Sequence, residues 1–159
     1  MSDDSQQSGL VWQVTTWNRM ADLYASENAP RMAPIASRVI AHAGLSVGEQ
    51  VLDVGTGTGI IIELAAPIVG PGGHVTGIDI SPEMLSYARK QLADQGLTNV
   101  TLREGGAEAI RADDESFDVV LASLSFMFVV DRAAAAREVA RVLRPGGRLV
   151  GSVWAGPEQ

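Results

Sequence analysis

The chain has 159 residues, enough for one domain with a real core, and 46% hydrophobic against 19% charged residues make it globular rather than disordered. A net charge of −7 argues against a surface built for nucleic acid or an anionic membrane, both of which want basic patches. The lack of cysteine excludes a disulfide framework, a thiolate metal site and a cysteine nucleophile, and fits the cytoplasm.

Residues 1–8 are acidic and polar, the opposite of a signal peptide, and are expected to be a mobile tail. Residues 11–24 follow, with Trp17, Met20 and Tyr24 at helical spacing, and read as an amphipathic helix that packs through its aromatics. The two prolines within residues 29–34 predict a break, after which Pro34 starts a helix with Ile35, Val39 and Ile40 as its apolar positions and Gly44 as its stop.

Residues 51–54 are rich in β-branched side chains and read as a buried parallel strand that ends in a glycine turn, Gly55, Gly57 and Gly59, before a helix. Such a turn gathers backbone N–H groups around one point and lets a ligand approach without meeting a Cβ. The dinucleotide fingerprint would need glycine at position 60, which is Ile60. The spacing is instead Asp-x-Gly-x-Gly-x-Gly from Asp53 to Gly59, with Thr56 inside the turn. A carboxylate at Asp53 suits an ammonium or sulfonium better than a pyrophosphate; alternatively it caps the turn.

Pro67 is expected to end or kink the helix, and residues 70–73 are a loop. The second strand spans residues 74–80 and ends around Asp79, where a carboxylate can accept ribose hydroxyls or serve the next helix as an N-terminal acid. Ser81, Pro82 and Glu83 form a helix start whose buried face is Met84, Leu85, Ala88 and Leu92, with Gly96 as the stop. Residues 99–102 are a third strand, residues 109–116 a surface connection and residues 117–122 a fourth strand. Asp131 caps a helix over residues 132–143 with Ala135, Val139, Val142 and Leu143 inward. Residues 144–147 turn, and residues 148–154 are the fifth strand. The apolar stretch 119–130 is too short to span a bilayer, so a protein of the cytoplasm is expected. Alternating strands and helices predict an α/β, doubly wound, mainly parallel sheet.

Residues 51–59, then Gly77-Ile78-Asp79-Ile80-Ser81, then Leu143-Arg144-Pro145-Gly146-Gly147 resemble the class I S-adenosylmethionine-dependent methyltransferases, in the small-molecule branch that includes ubiquinone/menaquinone biosynthesis C-methyltransferases. The resemblance implies a Rossmann-like sheet of order 3-2-1-4-5. It implies S-adenosylmethionine at the carboxyl ends of the strands, with the glycine turn facing the methionine portion. It also implies a lid before the core, so residues 1–30 are expected to form a tail and lid segment, with Tyr24 at the methionine end, and residues 31–159 the core. Ile80 and Met84 would cover the adenine ring. Where relatives carry Gly-Asp-Ala-Glu this chain has Gly105-Gly106-Ala107-Glu108, so the backbone of Gly106 and Ala107 takes over the adenine contact and discrimination weakens. Ser123 would lie beside the transferred methyl, and no polar motif for nucleobases follows it. His42 and His74 read as structural or solvent-facing, so no general base is identified.

The expected reaction is methyl transfer to a small-molecule carbon or hydroxyl oxygen. The alternatives are a non-catalytic adenosylmethionine-binding module or, less favoured because of Ile60, a dinucleotide-binding oxidoreductase domain. The resemblance further implies a helix and an antiparallel strand pair after strand five. The chain therefore reads as the front portion of a longer protein, with an open edge that would favour a homodimer.

Overall fold

The structure is a computed structural model and describes residues 3–156. Five strands form one parallel sheet of order β3-β2-β1-β4-β5, as the resemblance implies. They are β1 (Gln50–Val54), β2 (His74–Asp79), β3 (Val100–Glu104), β4 (Phe117–Ser123) and β5 (Leu143–Ser152). The helices are α1 (Asp3–Leu23), α2 (Ala29–Ala43), α3 (Ile60–Val69), α4 (Pro82–Asp94) and α5 (Arg132–Val142). The order reverses between β1 and β4, which puts a crevice at their carboxyl ends.

Two apolar layers sandwich the sheet. On one side Val51, Val75, Val119 and Leu121 pack under α2 and α3. On the other Leu52, Val54, Ile78 and Val120 pack against Ala135, Val139 and Val142 of α5. The alternation along β1 and β4 follows the two-residue period of a strand, with both faces buried because helices cover both. Truncating a fully buried side chain such as Leu121 costs about 2–5 kcal/mol.

α4 forms as its sequence dictates. The Ser81 hydroxyl accepts from the Met84 N–H at 3.1 Å, Pro82 opens the first turn, and Met84, Leu85, Ala88 and Leu92 are buried. A cap of this kind contributes about 1 kcal/mol. Asp131 likewise caps α5, accepting from the Ala134 N–H at 2.9 Å.

Several expectations are corrected. The helix runs back to Asp3, through residues expected to be a tail, of which Met1 and Ser2 lie outside the described residues. The two prolines do not break the chain. α1 passes into α2 through a π-helical turn, Tyr24–Asn28, in which the Ala29 N–H bonds the Tyr24 carbonyl. Pro30 then falls in the first turn of α2, where a missing N–H matters little, and Pro34 lies inside the helix. Pro67 also lies inside its helix, which ends three residues later at Gly70. Residues 144–147 are not a free turn but an irregularity within β5, between the pairs Phe117–Leu143 and Val119–Arg148. No helix among the described residues is long and apolar enough to cross a membrane.

Candidate functional site

The site begins at the turn between β1 and α3. The N–H groups of Gly55 and Thr56 both donate to the Ile78 carbonyl at 2.9 Å, which ties the turn to β2. Gly55 and Gly57 have φ of 70° and 56°, a region that side chains disfavour. A Cβ at Gly55 would collide with the Cβ of Ser125, whose hydroxyl donates to the Val54 carbonyl at 2.6 Å. The turn is thus clamped against the loop that leaves β4.

Two acids stand behind it. Asp79 accepts from the Gly57 N–H at 2.8 Å and from the Ser81 N–H at 2.9 Å. Burial raises its pKa, and those N–H groups pull it part of the way back. Asp53 is 1% exposed and neither of its oxygens has a hydrogen-bond partner. Burial pushes its pKa up to about 7; proximity to the Thr56 hydroxyl opposes this, although no bond of hydrogen-bonding geometry joins the two, and the Asp79 charge reinforces it. Asp53 lies opposite Gly77 in the sheet, and a Cβ on Gly77 would collide with Ile62 and stand 2.9 Å from Thr56 Oγ1. The pocket around Asp53 therefore exists because its neighbour in the sheet has no side chain.

A cavity of about 120 Å³ lies between these strand ends and α1. Gly55, Gly57, Asp79 and Ser123 line its floor, and Ile80, Met84, Gly106, Ala107 and Glu108 its far wall. Tyr24 reaches it from above. Burial, then the charges of Asp79 and Asp53, raise the Tyr24 pKa, so the phenol stays protonated. Ten of the thirteen sequence-predicted site residues thus meet at one place. Asp53, Thr56 and Gly59 do not line the cavity; all three are buried beneath the turn.

Beyond Tyr24 of the expected lid, the sequence reading named none of the residues that roof the cavity as site residues. Leu10, Gln13, Trp17, Phe128, Val129 and Val130 also line the cavity. Trp17 meets Phe128 edge-on with ring centroids 5.2 Å apart and Tyr24 at 6.2 Å. Gln13 joins the same contact: its Nε2 donates to the Phe128 carbonyl and its Oε1 accepts from the Trp17 indole, both at 2.9 Å. Two further bonds hold α1 to α4 and its cap: the Ser81 hydroxyl donates to Asn18 Oδ1 at 2.6 Å, and the Tyr87 hydroxyl to Asp22 Oδ1 at 2.8 Å. Glu108 Oε1 accepts from the Val130 N–H at 3.1 Å and so ties the far wall to the loop after β4. Leu124 lines the cavity with φ of 54°, a strained conformation for a branched side chain. His42 bonds the Arg38 carbonyl and His74 the Thr101 hydroxyl, and neither lines the cavity.

The family described as Methyltransferase domain matches residues 45–155, from just before β1 to just after β5. The chain belongs to the class I S-adenosylmethionine-dependent methyltransferases. It is 38% identical to nocamycin O-methyltransferase of Saccharothrix syringae over 84% of this chain and 48% of that one. It is 41% identical to the ubiquinone/menaquinone biosynthesis C-methyltransferase of Hahella chejuensis over 70% of this chain and 45% of that one. Among solved structures, a SAM-dependent methyltransferase from Aquifex aeolicus superposes with a TM-score of 0.72 at 30% identity, covering 78% of this chain and 66% of that one. The chain spans about half the length of the curated relatives it matches.

Proposed function

We propose that the chain holds S-adenosylmethionine across the ends of β1, β2 and β3 and directs its methyl group to a small-molecule carbon or hydroxyl oxygen beneath α1. The observation that carries this reading is the pair of buried acids, Asp53 and Asp79, behind a turn that offers bare backbone. Two carboxyl groups at one turn favour a ligand bearing an ammonium or sulfonium over a pyrophosphate. The Asp53 oxygens, buried and unpartnered, fit a cationic ligand nearby.

The bound cofactor supplies a methyl group already activated by sulfonium charge, so the protein's task is to position the acceptor and exclude water. Each Asp79 oxygen holds one backbone N–H and keeps a lone pair for a ribose hydroxyl. Gly55 and Gly57 face the methionine portion; the Gly59 N–H donates to the Thr56 carbonyl at 2.9 Å and closes the turn, with Asp53 buried beneath it. Ile80, Met84 and Ala107 wall the adenine ring, and the Gly106 backbone and Glu108 form its rim. Ser123 stands beside the transferred methyl. Residues 1–30 act as the lid, with Tyr24 over the methionine end. Relatives named as an O-methyltransferase and a C-methyltransferase support a small-molecule acceptor.

Titration calorimetry with S-adenosylhomocysteine and with NAD tests the reading. Saturable binding of the first alone is the expected outcome, and tight NAD binding overturns it.

A further inference from the structure

The cavity does not close at its far wall. Past Gly105 and Gly106 lies a groove of about 820 Å³ that shares Leu10, Ile80 and Val130 with the cavity. Its own surface adds Val14 and Gln7 from α1, Glu104 at the end of β3, Ala109 and Arg111 from the loop that follows, and Asp131 and Ala134 at the start of α5. Part of the boundary between the two spaces, at Gly105 and Gly106, carries no side chain, while Ile80 and Glu108 flank it. Nothing stands within 4 Å of the position a Cβ would take on Gly105. On Gly106 a Cβ would stand 3.0 Å from Glu108 Oε2 and 3.4 Å from Ile80 Cγ2. A larger side chain there would narrow the passage.

A nucleoside whose ribose hydroxyls rest on the acid ending β2 places its base toward β3. Such a base would lie against Ile80 and Ala107 with its polar edge toward the Gly105 and Gly106 backbone, where a Cβ on Gly105 would meet nothing within 4 Å. On that basis, and resting on the cofactor reading above, we propose that the groove is an annex of the cofactor site. It accepts an apolar substituent on the exocyclic amine of the purine. Leu10, Val14, Ile80, Val130 and Ala134 supply an apolar side for such a substituent, while Glu104, Glu108, Asp131 and Arg111 form a charged rim.

Calorimetry on the 159-residue chain with S-adenosylhomocysteine and with its N6-benzyl derivative tests the proposal. The expected result is that the benzyl derivative binds within about tenfold of the parent. A loss well beyond about tenfold, with the parent still binding, overturns the annex and leaves the cofactor reading standing. If neither binds, both fall. Filling the groove makes the assignment specific. Ala134→Trp should weaken the benzyl derivative by about tenfold or more and leave the parent unchanged. Ala109→Trp, on an exposed loop that tolerates bulk, gives the same comparison if the first variant misfolds. Equal effects on both ligands, or none on either, would place the benzyl group elsewhere and sink the proposal.

Discussion

Asp79 meets a backbone N–H at each carboxylate oxygen, 2.8 Å from Gly57 and 2.9 Å from Ser81, whereas Asp53 meets none. Asp79→Asn turns one acceptor into a donor that faces an N–H. It should weaken S-adenosylhomocysteine binding by roughly 10- to 100-fold in calorimetry, as expected for a lost charge-assisted contact. Asp53 speaks through pH instead. Unfolded, it ionises near the ordinary carboxylate value of about 3.9; folded, its pKa rises to about 7. Between those values the native state keeps a proton that the unfolded state has released. Stability from this group is therefore fully present below about pH 4 and is lost as pH rises through about 7, by an amount on the order of 4 kcal/mol. Urea midpoints at pH 5 and pH 8 should show this decline, and Asp53→Asn should flatten it. An unchanged slope in the variant would assign the decline to another group.

At the scale of elements, α1 is held over the cavity by the edge-on contact of Trp17 with Phe128 and a few hydrogen bonds. The aromatic contact contributes about 1 kcal/mol. Trp17→Ala should therefore speed S-adenosylhomocysteine release by roughly tenfold in stopped-flow, with little change in melting temperature. A large drop in melting temperature would instead make Trp17 part of the core. How far such features can be read from sequence depends on distance along the chain. α4 was fully legible, since Ser81, Pro82, Met84, Leu85, Ala88 and Leu92 act within one helix. The floor of the site was legible for the same reason, because its residues follow directly on strand ends. The contacts that pin the roof were not, because Gln13 and Phe128 are 115 residues apart and meet only in the fold. Nor could sequence show that Asp53 sits beneath the turn, which depends on Gly77 opposite it, or that Leu124 takes a left-handed conformation. Pro30 and Pro34 misled because the chain continues from the π-helical turn into α2, with Pro30 in its first turn and Pro34 inside it.

At the scale of the whole molecule, the interior strands β1, β2 and β4 are buried on both faces, while α1 has a largely exposed outer side with Val11 and Trp12 in solvent. Amide hydrogen exchange should be slowest in those three strands and fastest in α1, with S-adenosylhomocysteine slowing α1 most. Protection of α1 equal to that of β1 without ligand would make it part of the cooperative core. The winding between α1 and α2 has a consequence of its own. In an ordinary helix each residue advances the face by about 100°. The π-helical turn at Tyr24–Asn28 holds more residues per turn, so it sets the rotational phase of everything before it, much as a vernier does. Inserting one alanine after Met20, inside the ordinary winding of α1, would carry Trp17 about a quarter-turn away from Phe128 with its side chain intact. Cofactor release should then quicken as much as in Trp17→Ala. The face that closes the cavity is set by a residue count as much as by residue identity.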